Sequence, residues 1–285
     1  MIVNFDHTTL LVRDIEVGIS AYRQILGREP TFRIHAEGLE SAFFVLDNAT
    51  LRIASPNGAG AVGDVARAQL DERGEGLFGL VFRVDDIGRT YRRLRRLSLE
   101  PCEISDVVEQ DPVQGSTHAW KRTDLPSKFS HGIPVSFASP ATEMPISEAS
   151  PSSVRKMDLL VVATGDPERA AILYGARLGL PLSFDQINGQ SNSRLMQFPF
   201  GDMLIEVVHR PEDRSHESDR LWGIGWSVAD ADAARDRLLR SGRNVSDVKV
   251  GAKPNTRVFT VRDGTCNIPT LVVEHLPAHR DKALE

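Results

Sequence analysis

Two stretches of the chain share one pattern of apolar and polar positions. From Phe5 to Gly27, FDHTTLLVRDIEVGISAYRQILG opens with a run rich in β-branched residues, passes an Asp, and continues at helical spacing to Leu-Gly. From Met157 to Gly179, MDLLVVATGDPERAAILYGARLG does the same. Asp14, Tyr22, Leu26 and Gly27 fall on Asp166, Tyr174, Leu178 and Gly179 at one constant offset. Each copy reads as a strand, an aspartate able to cap, a helix, and a Leu-Gly stop. A repeat this long marks a duplicated architecture.

The first half predicts a strand over residues 3–12, a helix from Ile15 to Leu26, and strands at Ser41–Leu46 and Thr50–Ala54 joined by a tight Asp47-Asn48 hairpin. A Gly/Ala-rich connection follows, with a helical pattern near Asp64–Arg73. A similar unit then starts at Leu77–Asp86, with a helix from Ile87 to Leu97 and strands near Thr117–Arg122 and Ile133–Phe137. The Pro-, Ser-, Ala- and Glu-rich stretch from Pro140 to Ser153 reads as a linker. The second half repeats both units. FPFGDMLIEVVHRP lies over FVLDNATLRIASPN, giving strands at Leu195–Phe200 and Met203–Val208. LWGIGWSVADADAARDRL lies over LFGLVFRVDDIGRTYRRL, setting Trp226 on Phe82 and Asp230 on Asp86, and strands at Thr256–Val261 and Thr270–His275 close the pattern. The expected fold is α+β: four β-α-β-β-β units in two tandem domains, residues 1–140 and 154–278, with a linker over 141–153.

Composition narrows the class. The 285 residues are 41% hydrophobic and 26% charged, ordinary for a globular protein, and no apolar run approaches the ~20 residues of a membrane helix. The chain enters a strand pattern without a basic leader, so a cytoplasmic protein is expected. The two cysteines, Cys102 and Cys266, stand far apart and suggest neither a disulfide framework nor a zinc site. A net charge of −5 leaves no electrostatic footprint for nucleic acid, and the arginines of Tyr91–Leu97 read as a solvated helix face. No G-x-S-x-G, Walker or H-E-x-x-H motif occurs, and the glycines of Gly74–Gly79 do not lead a strand into a helix as a phosphate loop does.

The Asp-His start and V-x-D end of the first strand, the helix ending in Leu-Gly, the strand closing on Pro and the later hydrophobic-x-V-x-D strand resemble the vicinal oxygen chelate superfamily. That is the glyoxalase, bleomycin-resistance and extradiol-dioxygenase group, and the resemblance covers nearly the whole chain. It implies that paired units curl into open sheets around cavities. Its metal-dependent enzymes hold one divalent ion, Fe, Mn, Ni or Zn, through a His opening the first strand, a Glu late in the first unit, a His opening the second unit and a Glu in its last strand. Imidazoles and carboxylates suit such ions, which act as Lewis acids on adjacent substrate oxygens. Which units pair is open. Pairing of consecutive units gives two separate sites, whereas pairing the first with the fourth would bring His7 and Arg52 near Glu274.

Carried over by position, the ligand set is broken in both halves. His7 stands at the first His position, but Arg52 replaces the Glu, Gly79 the second His, and IPVSFAS offers no carboxylate. In the second half Leu159 and Gly223 replace the histidines, while Glu206 and Glu274 remain. Two carboxylates facing one cavity would repel, raising the pKa of one and fitting it for acid–base work. Glu206, Glu274 and His7 are therefore the candidate catalytic residues, with Glu206 and Glu274 the ligands if an ion binds, although the broken set favours none. Arg52, Trp226, Lys253 and Arg257 are the candidate substrate contacts, since Arg can clamp a carboxylate bidentately and glycines beside Trp226 leave room for an aromatic ligand. For each of these, core packing or a solvated pair is the plain alternative. The resemblance implies an enzyme of lyase, isomerase or ring-modifying type acting on a small aromatic or oxo-carboxylate metabolite. A metal-free protein sequestering an anionic or aromatic molecule is the other reading, and a homodimer is left open.

Overall fold

The computed structural model of the protein describes residues 1–111, 115–141, 143–212 and 218–277; the far end of the expected second domain, residue 278, lies outside them. The first half runs β1 (Ile2–Leu11), α1 (Ile15–Leu26), β2 (Phe32–Ala36), β3 (Leu39–Val45), β4 (Thr50–Pro56), α2 (Ala61–Arg73), β5 (Gly76–Val84), α3 (Ile87–Arg96), β6 (Ser105–Gln110), β7 (Thr117–Leu125) and β8 (Val135–Pro140). The second runs β9 (Val154–Ala163), α4 (Pro167–Ala171, continued by a π-helical turn over Ile172–Arg177), β10 (Phe184–Ile187), β11 (Arg194–Phe200), β12 (Met203–His209), β13 (Arg220–Val228), α5 (Ala231–Arg240), β14 (Lys249–Val250), β15 (Thr256–Val261) and β16 (Thr270–His275).

Two mixed eight-stranded sheets result, in the orders β2-β3-β4-β1-β5-β8-β7-β6 and β10-β11-β12-β9-β13-β16-β15-β14. Consecutive units pair, so His7 and Arg52 belong to one sheet and Glu274 to the other. The strands without a clear sequence signal are β2, β6, β10 and β14, the outermost of each unit. An edge strand bonds one neighbour and buries little, so its sequence carries a weak alternation.

Each unit starts its helix the same way. Asp14 accepts hydrogen bonds from the N–H groups of Glu16 and Val17, Asp86 from Arg89, Asp166 from Arg169 and Asp230 from Ala233, each meeting donors that the first turn leaves free. Gly27 ends α1 at φ 66°, a left-handed conformation that favours glycine.

The helix-bearing faces of both sheets meet in one continuous core. Tyr22 of α1 packs edge-on against Trp226 of β13 with ring centroids 6.4 Å apart. Phe200 of β11 does the same against Phe5 and Phe82, at 6.2 and 5.6 Å. Polar clamps rim the junction. The Asn48 amide donates to Met157 O (2.8 Å) and accepts from its N–H (3.0 Å). Arg28 donates to Val154 O and Ser147 O, at 2.7 and 2.8 Å. Arg237 donates to the carbonyls of Gln24 and Ile25 at the end of α1. No helix among the described residues is long and apolar enough to cross a membrane.

Because Trp226 is fully buried against the other half, Trp226→Ala should cost about 3–5 kcal/mol. With Trp222 also replaced by Phe in parent and variant, so that Trp120 of the first half is the indole left in the variant, thermal unfolding followed by circular dichroism and by fluorescence should still show one coincident, lowered transition. A first half that melts at its original temperature would contradict a shared core.

Candidate functional site

The two sheets differ on their concave faces. In the first, β2 approaches β6, and the Arg33 N–H donates to the Asp111 carboxylate (3.0 Å), so the sheet nearly closes on itself. Its interior is filled: Phe32, Ile34 and Phe43 pack with Met144 of the linker, and Val81 and Ala138 with Trp120. Arg52 lies within this filling. Its Nε donates to Ser41 Oγ (3.0 Å), its guanidinium stacks over Phe43, and a terminal nitrogen lies 3.7 Å from Glu109 of β6. Burial lowers the Arg52 pKa and raises that of Glu109, each opposed by the other's charge. His7 is buried beside them, its Nδ1 2.7 Å from Asp6.

The ligand positions follow from register. Thr9 of β1 pairs with Arg52 as Val81 of β5 pairs with Ser136, so His7, Arg52, Gly79 and Ser136 are the four equivalent sites. Gly79 has φ 81°, a conformation that a histidine there would adopt only with strain. One imidazole facing a guanidinium does not suit a divalent ion. The first sheet does not fit a metal centre.

The second sheet encloses a cavity of about 810 Å³. Its wall is mostly Leu and Val, including Leu159, Val161, Leu204 and Leu271, with the ring of Trp222 at one end. Charged and amide groups are few, Glu206, Gln197 and Asp158 on the strands with Lys249 and Lys253 beside them, and Thr256, Thr260 and Thr270 add hydroxyls. Gln197 lies directly opposite Glu206 across β11 and β12, and its amide donates to Glu206 Oε2 (3.1 Å). Burial raises the Glu206 pKa; the Gln197 bond opposes this and nearby Asp158 adds to it, leaving a net rise. Asp158 is itself held 2.5 Å from His275 Nε2.

Three of the expected residues lie elsewhere. Glu274 does not line the cavity; it accepts from the Ala231 N–H at the start of α5 (3.2 Å) and from Arg257 (3.1 Å). Val161 pairs with Glu206 as Gly225 pairs with Leu271, so Leu271 is the true equivalent of Glu206. Glu274 lies three residues beyond, an odd step that turns it to the helix face. Arg257 follows it there, bridging Glu274 and Asp232. Trp226 is core, not cavity wall. Trp222 is an extra residue of β13 between Leu221 and Gly223 in the pairing with β9, and it borders the cavity; Trp226, an odd step of three beyond Gly223, faces Tyr22 instead. Glu206 and Lys253 do line the cavity, whereas His7 and Arg52 sit in the first sheet. The missed residues are Gln197, Asp158, Trp222 and Lys249. Of these, Gln197 carried a usable signal, because a two-residue Gly201-Asp202 turn places it opposite Glu206.

The four ligand positions here are Leu159, Glu206, Gly223 and Leu271. One carboxylate at these four positions, already bonded to an amide, with Asp158 engaged by His275, does not suit a divalent ion. No group of three His, Cys, Asp or Glu able to hold a metal occurs among the described residues.

A family model described as a glyoxalase-like domain matches residues 5–179. No curated protein matches the chain. Among solved structures, a triple mutant of 4-hydroxymandelate synthase from Streptomyces coelicolor is similar at TM-score 0.70 and 13% identity, over 95% of this chain and 92% of that one. The Mn(II)-bound glyoxalase from Novosphingobium aromaticivorans is similar at TM-score 0.66 and 11% identity, over 97% and 83%. A xylose isomerase-like TIM barrel/4-hydroxyphenylpyruvate dioxygenase fusion protein is similar at TM-score 0.67 and 10% identity, over 98% of this chain and 49% of that one.

Two outcomes test this electrostatic picture. A carboxyl whose folded pKa exceeds its unfolded value costs nothing in acid, and the cost builds as pH rises above the ordinary value of 4.5. Glu206→Gln should therefore match the parent in urea melts at pH 4 and exceed it at pH 7.5. In the first sheet, Arg52→Ala should destabilise by about 3–5 kcal/mol at pH 7, because the Glu109 side chain, 10% exposed, loses its counter-charge. Adding Glu109→Gln should recover most of that loss.

Proposed function

The chain belongs to the glyoxalase-like domain family, within the vicinal oxygen chelate superfamily, and on that footing we propose that its second sheet houses a metal-independent acid–base site for a small, largely apolar molecule bearing an anionic group. The observation that carries this reading is Glu206: a carboxyl at a ligand position of the superfamily, its pKa raised by burial, standing in a cavity whose other three ligand positions are Leu159, Gly223 and Leu271. A carboxyl shifted in this direction accepts a proton more readily than a free one, the property a general base needs.

The chemistry that suits it is proton transfer at a carbon next to a carbonyl, of isomerase or lyase type. Glu206 would take the proton, the C–H electron pair would become the enolate, and the same carboxyl or water would return a proton. Gln197 holds the carboxylate in one orientation through its amide. Lys249 and Lys253 supply positive charge for the substrate anion. The hydrocarbon wall lowers the local dielectric around Glu206 and so strengthens its interactions. His7 and Arg52 play no part in this site; they hold the filled interior of the first sheet together.

A second reading, sequestration without turnover, is favoured by the apolar wall of Leu and Val, which the Trp222 ring extends beneath the Arg210 guanidinium stacked on it at 4.5 Å. Aromatic 2-oxo carboxylates in deuterated buffer separate the two. Under the first reading, NMR detects enzyme-dependent loss of the hydrogen next to the carbonyl, and Glu206→Gln reduces its rate about 10²–10⁴-fold with affinity changed only a few-fold. Binding that quenches tryptophan fluorescence, with no exchange in either protein, would leave sequestration.

A further inference from the structure

We propose that the ligand of this site is an amphiphile spanning two chambers, with a hydrocarbon body in the inner cavity and a carboxylate or phosphate head in an outer one. This rests on the inner cavity being the ligand site.

The outer chamber, of about 770 Å³, lies at the end of the second sheet where β9 begins and β16 ends. It shares Asp158, Gln197, Leu204 and Lys253 with the inner cavity, so the two form one trough with a common waist. Each alone is of the size usual for a ligand pocket, roughly 300–1,000 Å³; a single-ring metabolite would leave most of the trough to water. Their walls differ in kind. Leu and Val dominate the inner chamber, whereas Lys156, Asp202, His275 and Arg155 stand around the outer one.

The charges of the outer wall are already matched, with one exception. Lys156 pairs with Asp202, Arg155 with Asp47 (3.2 Å) and His275 with Asp158 (2.5 Å). Lys253, at the waist, makes no ion pair among the described residues. Its ammonium is the group left to meet an anion, at the point where the wall changes from hydrocarbon to polar. A head group there would be met by Lys253, and the paired cations would add to the local positive potential.

Isothermal titration of the full chain tests this with hexanoate, decanoate, decyl phosphate and the neutral decanol as probes. Decanoate should bind far more tightly than hexanoate, by up to about fourfold for each methylene buried. Lys253→Glu should weaken decanoate and decyl phosphate about fivefold or more while leaving decanol within twofold. The tighter of the two anions names the head group. Val161→Trp, which projects an indole into the inner chamber, should weaken binding of every probe at least tenfold, and Leu271→Trp on another strand repeats the block should the first variant fail to fold. Probes that bind and are weakened by inner blocking, yet respond alike to Lys253→Glu with or without a charged head, would overturn the two-chamber ligand and leave the inner site standing. Probes that bind unchanged in both blocked variants would overturn the inner site itself.

Discussion

Burial of the outer sheet faces against one another is the constraint on which the rest of the molecule depends. Tyr22, Trp226, Phe5, Phe82 and Phe200 join the two halves in a single core. Alternation along a strand then leaves every second residue for the concave side. A residue's chemistry in this fold is thus decided first by parity. Glu206 and Glu274 look alike in their local sequence, and an odd difference in step sends one to the cavity and the other to the start of α5.

The same constraint explains why duplicated sheets could diverge so far. Changes on the concave side do not disturb the shared core. In the first half that side has filled with Phe32, Phe43, Trp120 and the Arg52–Glu109 pair, and linker residue Met144 packs into it. In the second half the equivalent positions are Leu159, Gly223 and Leu271, and the space beside them stays open. With three of the four equivalent positions taken by Leu159, Gly223 and Leu271, Glu206 is the one carboxyl left among them.

Much of this was legible in the residues, and the failures share a physical cause. The repeat, the four capping aspartates, the long strands and the broken ligand set follow from patterns local to each unit. Trp226 and Glu274 were misplaced because each stands an odd step of three from the position that faces the cavity, Gly223 and Leu271, and only the strand register identifies those positions. Arg52 was expected to await an anionic ligand, but its counter-charge, Glu109, comes from β6, an edge strand with little alternation of its own. Gln197 shows the opposite case, since counting back from a tight turn would have found it.

The clamps at Arg28 and Asn48 have a consequence for synthesis. Both belong to the opening unit and both grip backbone between Ser147 and Met157, the first part of the second half to leave the ribosome. Until then the nascent first half holds Phe5 and Phe82 against no Phe200, and its unfinished face is a sticky one. Early capture of β9 brings the missing cover alongside while it is still being made, so the order of translation itself guards the intermediate from aggregation.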